Sequence, residues 1–350
     1  MMAPGSMMAA VLETFGAPFR VTAVARPTPE AGQVLVRIAA SAVNPIDVKI
    51  HLGEAAHARQ PLPAILGIDL AGVVEAVGPD VAGFRRGDEV YGMTGGVAGL
   101  QGSLAEFAAV DARLLAPKPA TLSMREAAAL PLAFTTAWEG LVDRAAIKHG
   151  DKVLIQGGAG GVGHIAIQIA HVFGAQVFAT GSERDRALIE RLGATAIDRG
   201  VPVETYVAER TGGAGFDIVY DTVGGVVLDA SFTAVRRFGH VVSALGWGTH
   251  LLAPLSFRAA TYSGVFTLLP MLTGDGRAHH GEIMREATRL AESGKVTPKL
   301  DPRRFTLETA CDAYRAIKAH DADGKLVIDI LREMPGSRIG HQAYREPLPA

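Results

Sequence analysis

Three glycines, Gly158, Gly160 and Gly163, fall in the spacing G-x-G-x-x-G within Gly157-Gly-Ala-Gly-Gly-Val-Gly163. Without a Cβ, the backbone there can turn sharply and approach an anion closely. In this spacing the first glycine makes the turn and the second admits a pyrophosphate against main-chain N–H groups. The third lets the next helix pack close to the preceding strand. The flanks fit. Lys152-Val-Leu-Ile-Gln156 is a short apolar run that reads as a buried strand, and His164-Ile-Ala-Ile-Gln-Ile-Ala170 reads as a helix. A second strand, Gln176-Val-Phe-Ala179, follows. The helix N-terminus supplies N–H donors and positive dipole. Gly158, Ala159, Gly160, Gly161, Val162 and Gly163 are therefore expected to hold a dinucleotide.

Which dinucleotide is read at the end of the second strand. A site for NAD places an acid there, to accept hydrogen bonds from the adenosine ribose. Here Thr180 takes that place, followed by Gly181 and Ser182. Ser182 can hydrogen-bond a 2′-phosphate, and Arg184 and Arg186 can neutralise it. Glu183 argues the other way, and the whole run 183–186 also reads as a solvated helical turn of mixed charge. NADPH is expected over NADH.

Metal and thiol chemistry have little to work with. Cys311 is the one cysteine, so no intrachain disulfide forms. A zinc site wants three or four converging Cys, His or acidic ligands. Cys311 reads as a small apolar residue of a helix, and the adjacent His279-His280 do not readily converge on one ion. No zinc is expected. A net charge of −2 without a basic block speaks against nucleic acid and anionic membranes as partners, and no apolar run is long enough to span a bilayer. The cytoplasm is the expected location.

The elements that must position these residues form three blocks. Residues 1–8 read as a disordered extension ahead of a start near Met7 or Met8. From 9 to 122, short β-type runs such as Gln33-Val-Leu-Val-Arg-Ile-Ala39 and Gly72-Val-Val-Glu-Ala-Val-Gly78 alternate with turns, as in a β-rich domain. From 123 to 269, strands alternate with helices, the pattern of an α/β doubly wound parallel sheet. Its strands are expected at 152–156, 176–180, from 196, at 216–220 and at 240–245, with helices at 182–192 and around 226–236. Residues 270–331, with helices at 281–293 and 307–319 and a strand at 324–330, are expected to return to the first domain. Residues 332–350 form a tail.

This order of parts resembles the medium-chain dehydrogenase/reductase superfamily, in its zinc-independent quinone oxidoreductase branch. The resemblance rests on Val43-Asn-Pro-Ile-Asp-Val-Lys49, Leu66-Gly-Ile-Asp-Leu-Ala-Gly-Val-Val-Glu-Ala-Val-Gly78, Gly102-Ser-Leu-Ala-Glu106, Leu130-Pro-Leu-Ala-Phe-Thr-Thr-Ala-Trp138, the glycine loop, Phe216-Asp-Ile-Val-Tyr-Asp-Thr-Val-Gly224 and Gly324-Lys-Leu-Val-Ile328. It implies a GroES-like domain joined to a Rossmann domain. The zinc alcohol dehydrogenases of the superfamily carry Cys where this chain has Asn44, and Gly-His-Glu where it has Gly67-Ile68-Asp69.

The resemblance further implies hydride transfer from NADPH to a small, neutral, activated acceptor, a quinone or the β-carbon of an α,β-unsaturated carbonyl. It places Asn44, Asp47 and Lys49 in the cleft and Thr136 near the nicotinamide. Lys49 either stabilises the developing enolate, or contacts the cofactor's phosphate or ribose, or simply faces water; Asp47 orients Lys49 or the backbone. Arg199 binds the 2′-phosphate or lies on the surface. Leu245, Gly246 and Trp247 end a strand at the crevice, with Trp247 walling the pocket or meeting a second subunit. His164 reads as a packing or surface residue. A strand-like run at 261–269 suggests a homodimer. Two alternatives stay open: an NADPH-binding protein with little turnover, and an enoyl-thioester reductase.

Overall fold

Gln33–Ala42 is the strand on which the first domain is built. Val34, Val36 and Ile38 recur at the strand period of two and are fully buried on one face. Each such side chain contributes about 1.5–3 kcal/mol on leaving water. Along one edge the strand pairs antiparallel with Asp69–Val77, from Val34↔Val77 to Ala42↔Asp69, with two register shifts that bend it. Along the other edge its first half pairs with Phe107–Asp111, and its end pairs with Val327–Asp329 through Ala42↔Val327. The chain's last described strand thus closes the first domain's seven-stranded sheet.

The second sheet is parallel, six-stranded and ordered Thr195–Asp198, Gln176–Gly181, Lys152–Gln156, Phe216–Asp221, Val235–Ser243, Thr261–Gly264. Val153 and Ile155 enter the hydrophobic cluster on one face and Leu154 the cluster on the other. That is what a strand covered on both faces by helices requires. Sequence order reverses beside Lys152–Gln156. A crevice opens there, at the carboxyl ends of the strands.

The computed structural model describes residues 5–330, and several boundaries differ from expectation. Ser6–Leu12 is a strand paired with Arg20–Ala25, and Met7 is buried with Val11 and Ala105, so residues 6–8 are not a disordered extension. The run 182–192 opens with a 3-10 turn, Glu183–Asp185, before the helix Arg186–Arg191. Its serine folds onto Asp185 and tightens that first turn. The run 261–269 stays extended only to Gly264, and Pro270 then sits in the first turn of the helix Leu269–Thr273. The helix expected at 281–293 is Arg277–Glu292. The expected tail, 332–350, lies outside the described residues. Among the described residues no helix is long and apolar enough to cross a membrane.

Candidate active site

The glycine loop is shaped by contact distances. Gly157, one residue ahead of the expected motif, carries the positive φ of 77° and makes the sharp turn. The first motif glycine does something else: a Cβ on Gly158 would lie 2.6 Å from Ala179 Cβ, so its lack of a side chain lets the second strand approach. A Cβ on Gly163 would fall 2.1 Å from Gly157 O, which keeps the helix Gly163–Val172 against the turn. No side chain caps that helix; the N–H groups of His164 and Ile165 are bonded to Gly160 O and Val162 O, and the positive end of the helix dipole lies at the loop. Thr180 is a strut of the loop. Its hydroxyl donates to Gln156 Oε1 at 2.8 Å and accepts from Gly157 N–H at 3.0 Å.

His164 braces the loop from behind. Its Nδ1 lies 2.9 Å from Gly160 O and must carry the hydrogen, while Nε2 accepts from Lys299 N–H at 3.2 Å. Both nitrogens are used by the neutral ring, and burial holds its pKa down at about 4. Gln168 repeats the tie, bonding both N–H and C=O of Thr297. This histidine is a buried joint between the domains, not a surface residue.

A buried polar cluster lies across the crevice. Strand pairing at Ala42 brings Asn44, Asp69 and Lys325 together. Asn44 Nδ2 donates to Asp69 Oδ2 at 2.9 Å, and the Lys325 ammonium donates to Asn44 Oδ1. Leu132 N–H donates to Asp69 Oδ1 at 3.0 Å. Asp47 Oδ2 accepts from Asn44 N–H at 2.8 Å and starts the helix Pro45–Leu52. Its Oδ1 is buried without a hydrogen-bond partner. Burial pushes Asp47 up to about 7 and Asp69 up to about 6; it pushes Lys325 down. Asp47 orients the turn through the backbone and makes no hydrogen bond or ion pair with Lys49.

A cavity of about 930 Å³ runs between the domains from the glycine loop past these groups. Of the expected site residues, Asn44, Lys49, Thr136, Ala159, Gly160, Gly161, Val162, Thr180, Gly181, Arg199, Leu245 and Trp247 line it. Lys49 is exposed there and its ammonium makes no hydrogen bond or ion pair with the described residues. The Thr136 hydroxyl donates to Leu132 O at 2.6 Å and lies 3.1 Å from Thr267 Oγ1, so it offers the cavity a lone pair rather than a hydrogen. Asp221 accepts from the N–H groups of Val223 and Gly224 and from the Ser243 hydroxyl, fixing the crevice loop below Leu245.

The remaining expected residues stand back. Asp47, Gly158 and Gly163 shape the walls from within. A Cβ on Gly246 would meet the Tyr262 hydroxyl at 2.1 Å, so this glycine admits Tyr262 rather than a ligand. Ser182 spends its hydroxyl on Asp185 at 2.6 Å. Arg186 pairs with Glu183 and Glu190 on the helix surface, and Arg184 is exposed outside the cavity. Arg199 is the arginine among the residues that line the cavity, and Asp185 lines it too. The sequence reading missed Asp69, Lys325, His164 and Asp185 as site residues. Asp69 and Lys325 stood inside quoted motifs, but only strand register reveals that they meet. Cys311 is half-buried and its sulfur accepts from Phe19 N–H at 3.3 Å, a packing role.

The chain is similar to known proteins along most of its length. Residues 30–120 match the alcohol dehydrogenase GroES-like domain, and residues 192–328 match a domain described as zinc-binding dehydrogenase. The chain is 40% identical over 313 residues to 2-methylene-furan-3-one reductase of Solanum lycopersicum, covering 87% of this chain and 74% of that protein. It is 36% identical to the chloroplastic NADPH-dependent alkenal/one oxidoreductase of Arabidopsis thaliana, covering 85% and 72%. Among solved structures, an alcohol dehydrogenase superfamily protein from Novosphingobium aromaticivorans superposes with a TM-score of 0.92 at 60% identity, over 93% of this chain and all of that one.

Proposed function

The chain belongs to the medium-chain dehydrogenase/reductase superfamily, and from that premise we propose that it is an NADPH-dependent, zinc-independent reductase of quinones or α,β-unsaturated carbonyl compounds. One observation carries the reading: a continuous cavity joins a glycine loop built for a pyrophosphate to an unpartnered lysine ammonium. The names of the two plant relatives point the same way.

Bound at the glycine loop, NADPH would supply the hydride. The loop's main-chain N–H groups and the Gly163–Val172 N-terminus would hold its phosphates, with Lys325 behind Gly161. The Arg199 guanidinium supports NADPH over NADH, since it is free to pair with a 2′-phosphate. On the acceptor side, charge develops on the carbonyl oxygen as the β-carbon is reduced. The Lys49 ammonium is a donor free to meet it, and one such donor is worth about 10²–10³ in rate.

A zinc ion does not fit these residues. The Asn44 carbonyl oxygen already accepts from Lys325, and both Asp69 oxygens are taken by N–H donors. A dication would have to displace an ammonium, and among the described residues no three His, Cys, Asp or Glu side chains gather to hold one. A homodimer is supported by Thr261–Gly264, the open edge of the parallel sheet, where Tyr262 is exposed.

The test is NADPH oxidation, with NADH alongside, against a benzoquinone, an ortho-quinone, an alkenal, an enone and an enoyl-CoA. Turnover of a quinone or enone with NADPH preferred supports the reading. Tight NADPH binding with negligible turnover of all five would replace it with a binding-protein role.

A further inference from the structure

Three aromatic rings from three separate segments meet on the cavity wall. His57 rides on the short turn Ala56–Ala58 of the first domain. Trp247 follows the strand Val235–Ser243, and Phe266 follows the edge strand Thr261–Gly264. His57 stacks on Trp247 with centroids 5.2 Å apart and planes 25° apart. Phe266 meets Trp247 edge-on at 6.0 Å and 88°, and His57 at 5.8 Å and 63°. All three line the cavity, yet Trp247 is still 53% exposed. The other tryptophan, Trp138, is packed between Phe134 and Phe173. An indole left half open on a cavity wall, held in place by two rings, presents a rigid π surface to whatever enters.

We propose that His57, Trp247 and Phe266 form a subsite for a planar ring conjugated with the acceptor's carbonyl group, so that the protein favours ring-bearing enones and quinones over linear alkenals and alkenones. The inference rests on the reductase reading and names the substrate class within it. A flat ring gains offset-stacked or edge-on contact and has few rotamers to lose, whereas an alkyl chain of similar size gains less and is ordered at greater cost. His57 and Trp247 come from different domains, so their contact also fixes the width of the opening at this point.

The test compares 4-phenyl-3-buten-2-one with 3-penten-2-one, which share the enone and differ by phenyl for methyl. Trp247→Leu should lower the ratio of their kcat/KM values about three- to tenfold, the worth of one aromatic pair, and Trp247→Phe should restore most of it. An unchanged ratio, whether both values fall together or neither moves, overturns the subsite. A second measurement needs no turnover. With NADP⁺ bound, 1,4-naphthoquinone should quench tryptophan fluorescence saturably in the parent and in Trp138→Phe, and not in Trp247→Phe. Quenching that does not saturate in the parent also overturns it. If the parent reduces neither enone and, with NADPH, no quinone either, the reductase reading falls, and the quenching still decides the subsite.

Discussion

Lys325 rests its ammonium on Oδ1 of Asn44, 281 residues earlier in the chain, while the same amide turns its Nδ2 to Asp69. The amide is thereby oriented without ambiguity: one end faces a cation, the other a carboxylate. Two strand registers meeting at Ala42 make this possible, and they stitch the last described strand to the cleft.

Removing the ammonium leaves the buried carboxyl groups of Asp69 and Asp47 without the cation that offsets them. Breaking one side of a buried ionic cluster costs about 3–5 kcal/mol. Lys325→Met should therefore unfold at clearly lower denaturant concentration than the parent, and Lys325→Met combined with Asp69→Asn should recover much of the loss. Equal midpoints for parent and single variant would show that the cluster is energetically neutral.

Asp47 gives that cluster a pH signature. Its carboxyl is raised to about 7 by burial, above the ordinary carboxylate value, so the folded state binds a proton that the unfolded state has already released. Its contribution to stability is fully present below about pH 4 and is lost as pH rises through 7. Asp47→Asn can still accept from Asn44 N–H but cannot ionise. Thermal unfolding at pH 5 and pH 8 should show the variant gaining on the parent by a few degrees at the higher pH. Parallel curves for the two proteins would rule the titration out.

The fold was legible because it is written in local periodicities. The apolar run in Lys152–Gln156, the glycine run and the apolar helix after it are read within about twenty residues. What escaped was set by pairing between distant segments. Nothing in Gly324-Lys325 announces that its ammonium meets Asn44, and nothing around His164 announces a brace to Lys299. Charge alone also misled. Arg186 looked free for a phosphate, but the spacing that put it near the site also put Glu183 and Glu190 on its own helix face. The reading of Gly158 as the turn residue failed by one position, because a run of neighbouring glycines offers several equivalent turns and only packing against Ala179 distinguishes them.

Two glycines of the loop should respond differently to alanine. In Gly163→Ala the new methyl would stand 2.1 Å from the Gly157 carbonyl oxygen, so the turn or the helix must move. Its Kd for NADPH should rise at least about tenfold, with a loss of stability of about 1–3 kcal/mol. In Gly161→Ala the methyl would lie 3.6 Å from Lys325 Cδ, an ordinary contact, and the unliganded protein should melt with the parent. Calorimetry of both variants with and without NADPH checks the contrast; matching melting curves for the two would contradict it.

Arg199 is the residue at which the proposed cofactor preference is tested. If its guanidinium pairs with the 2′-phosphate, Arg199→Ala loses one charge-assisted contact, worth about 1.5–3 kcal/mol. KM for NADPH should then rise roughly ten- to a hundredfold while KM for NADH stays near the parent value. Should both rise together, the arginine serves the shared part of the cofactor and the preference for NADPH must come from elsewhere.

Lys49 separates chemistry from binding. It stands in the cavity on the helix Pro45–Leu52, which Asn44 and Asp47 begin and Gly53, at φ 77°, ends, so its position is fixed although its ammonium is free. If that ammonium meets charge developing on the acceptor oxygen, the contact is stronger in the transition state than before it. Lys49→Met should then lower kcat on an enone about 10²–10³-fold, with the Kd for NADPH nearly unchanged. Lys49→Arg, which keeps the donor but moves it, should fall between. A Lys49→Met variant whose NADPH affinity drops while kcat holds would assign the lysine to the cofactor. One that changes neither would leave it facing water, and the oxyanion would have to be met by another donor in the cleft.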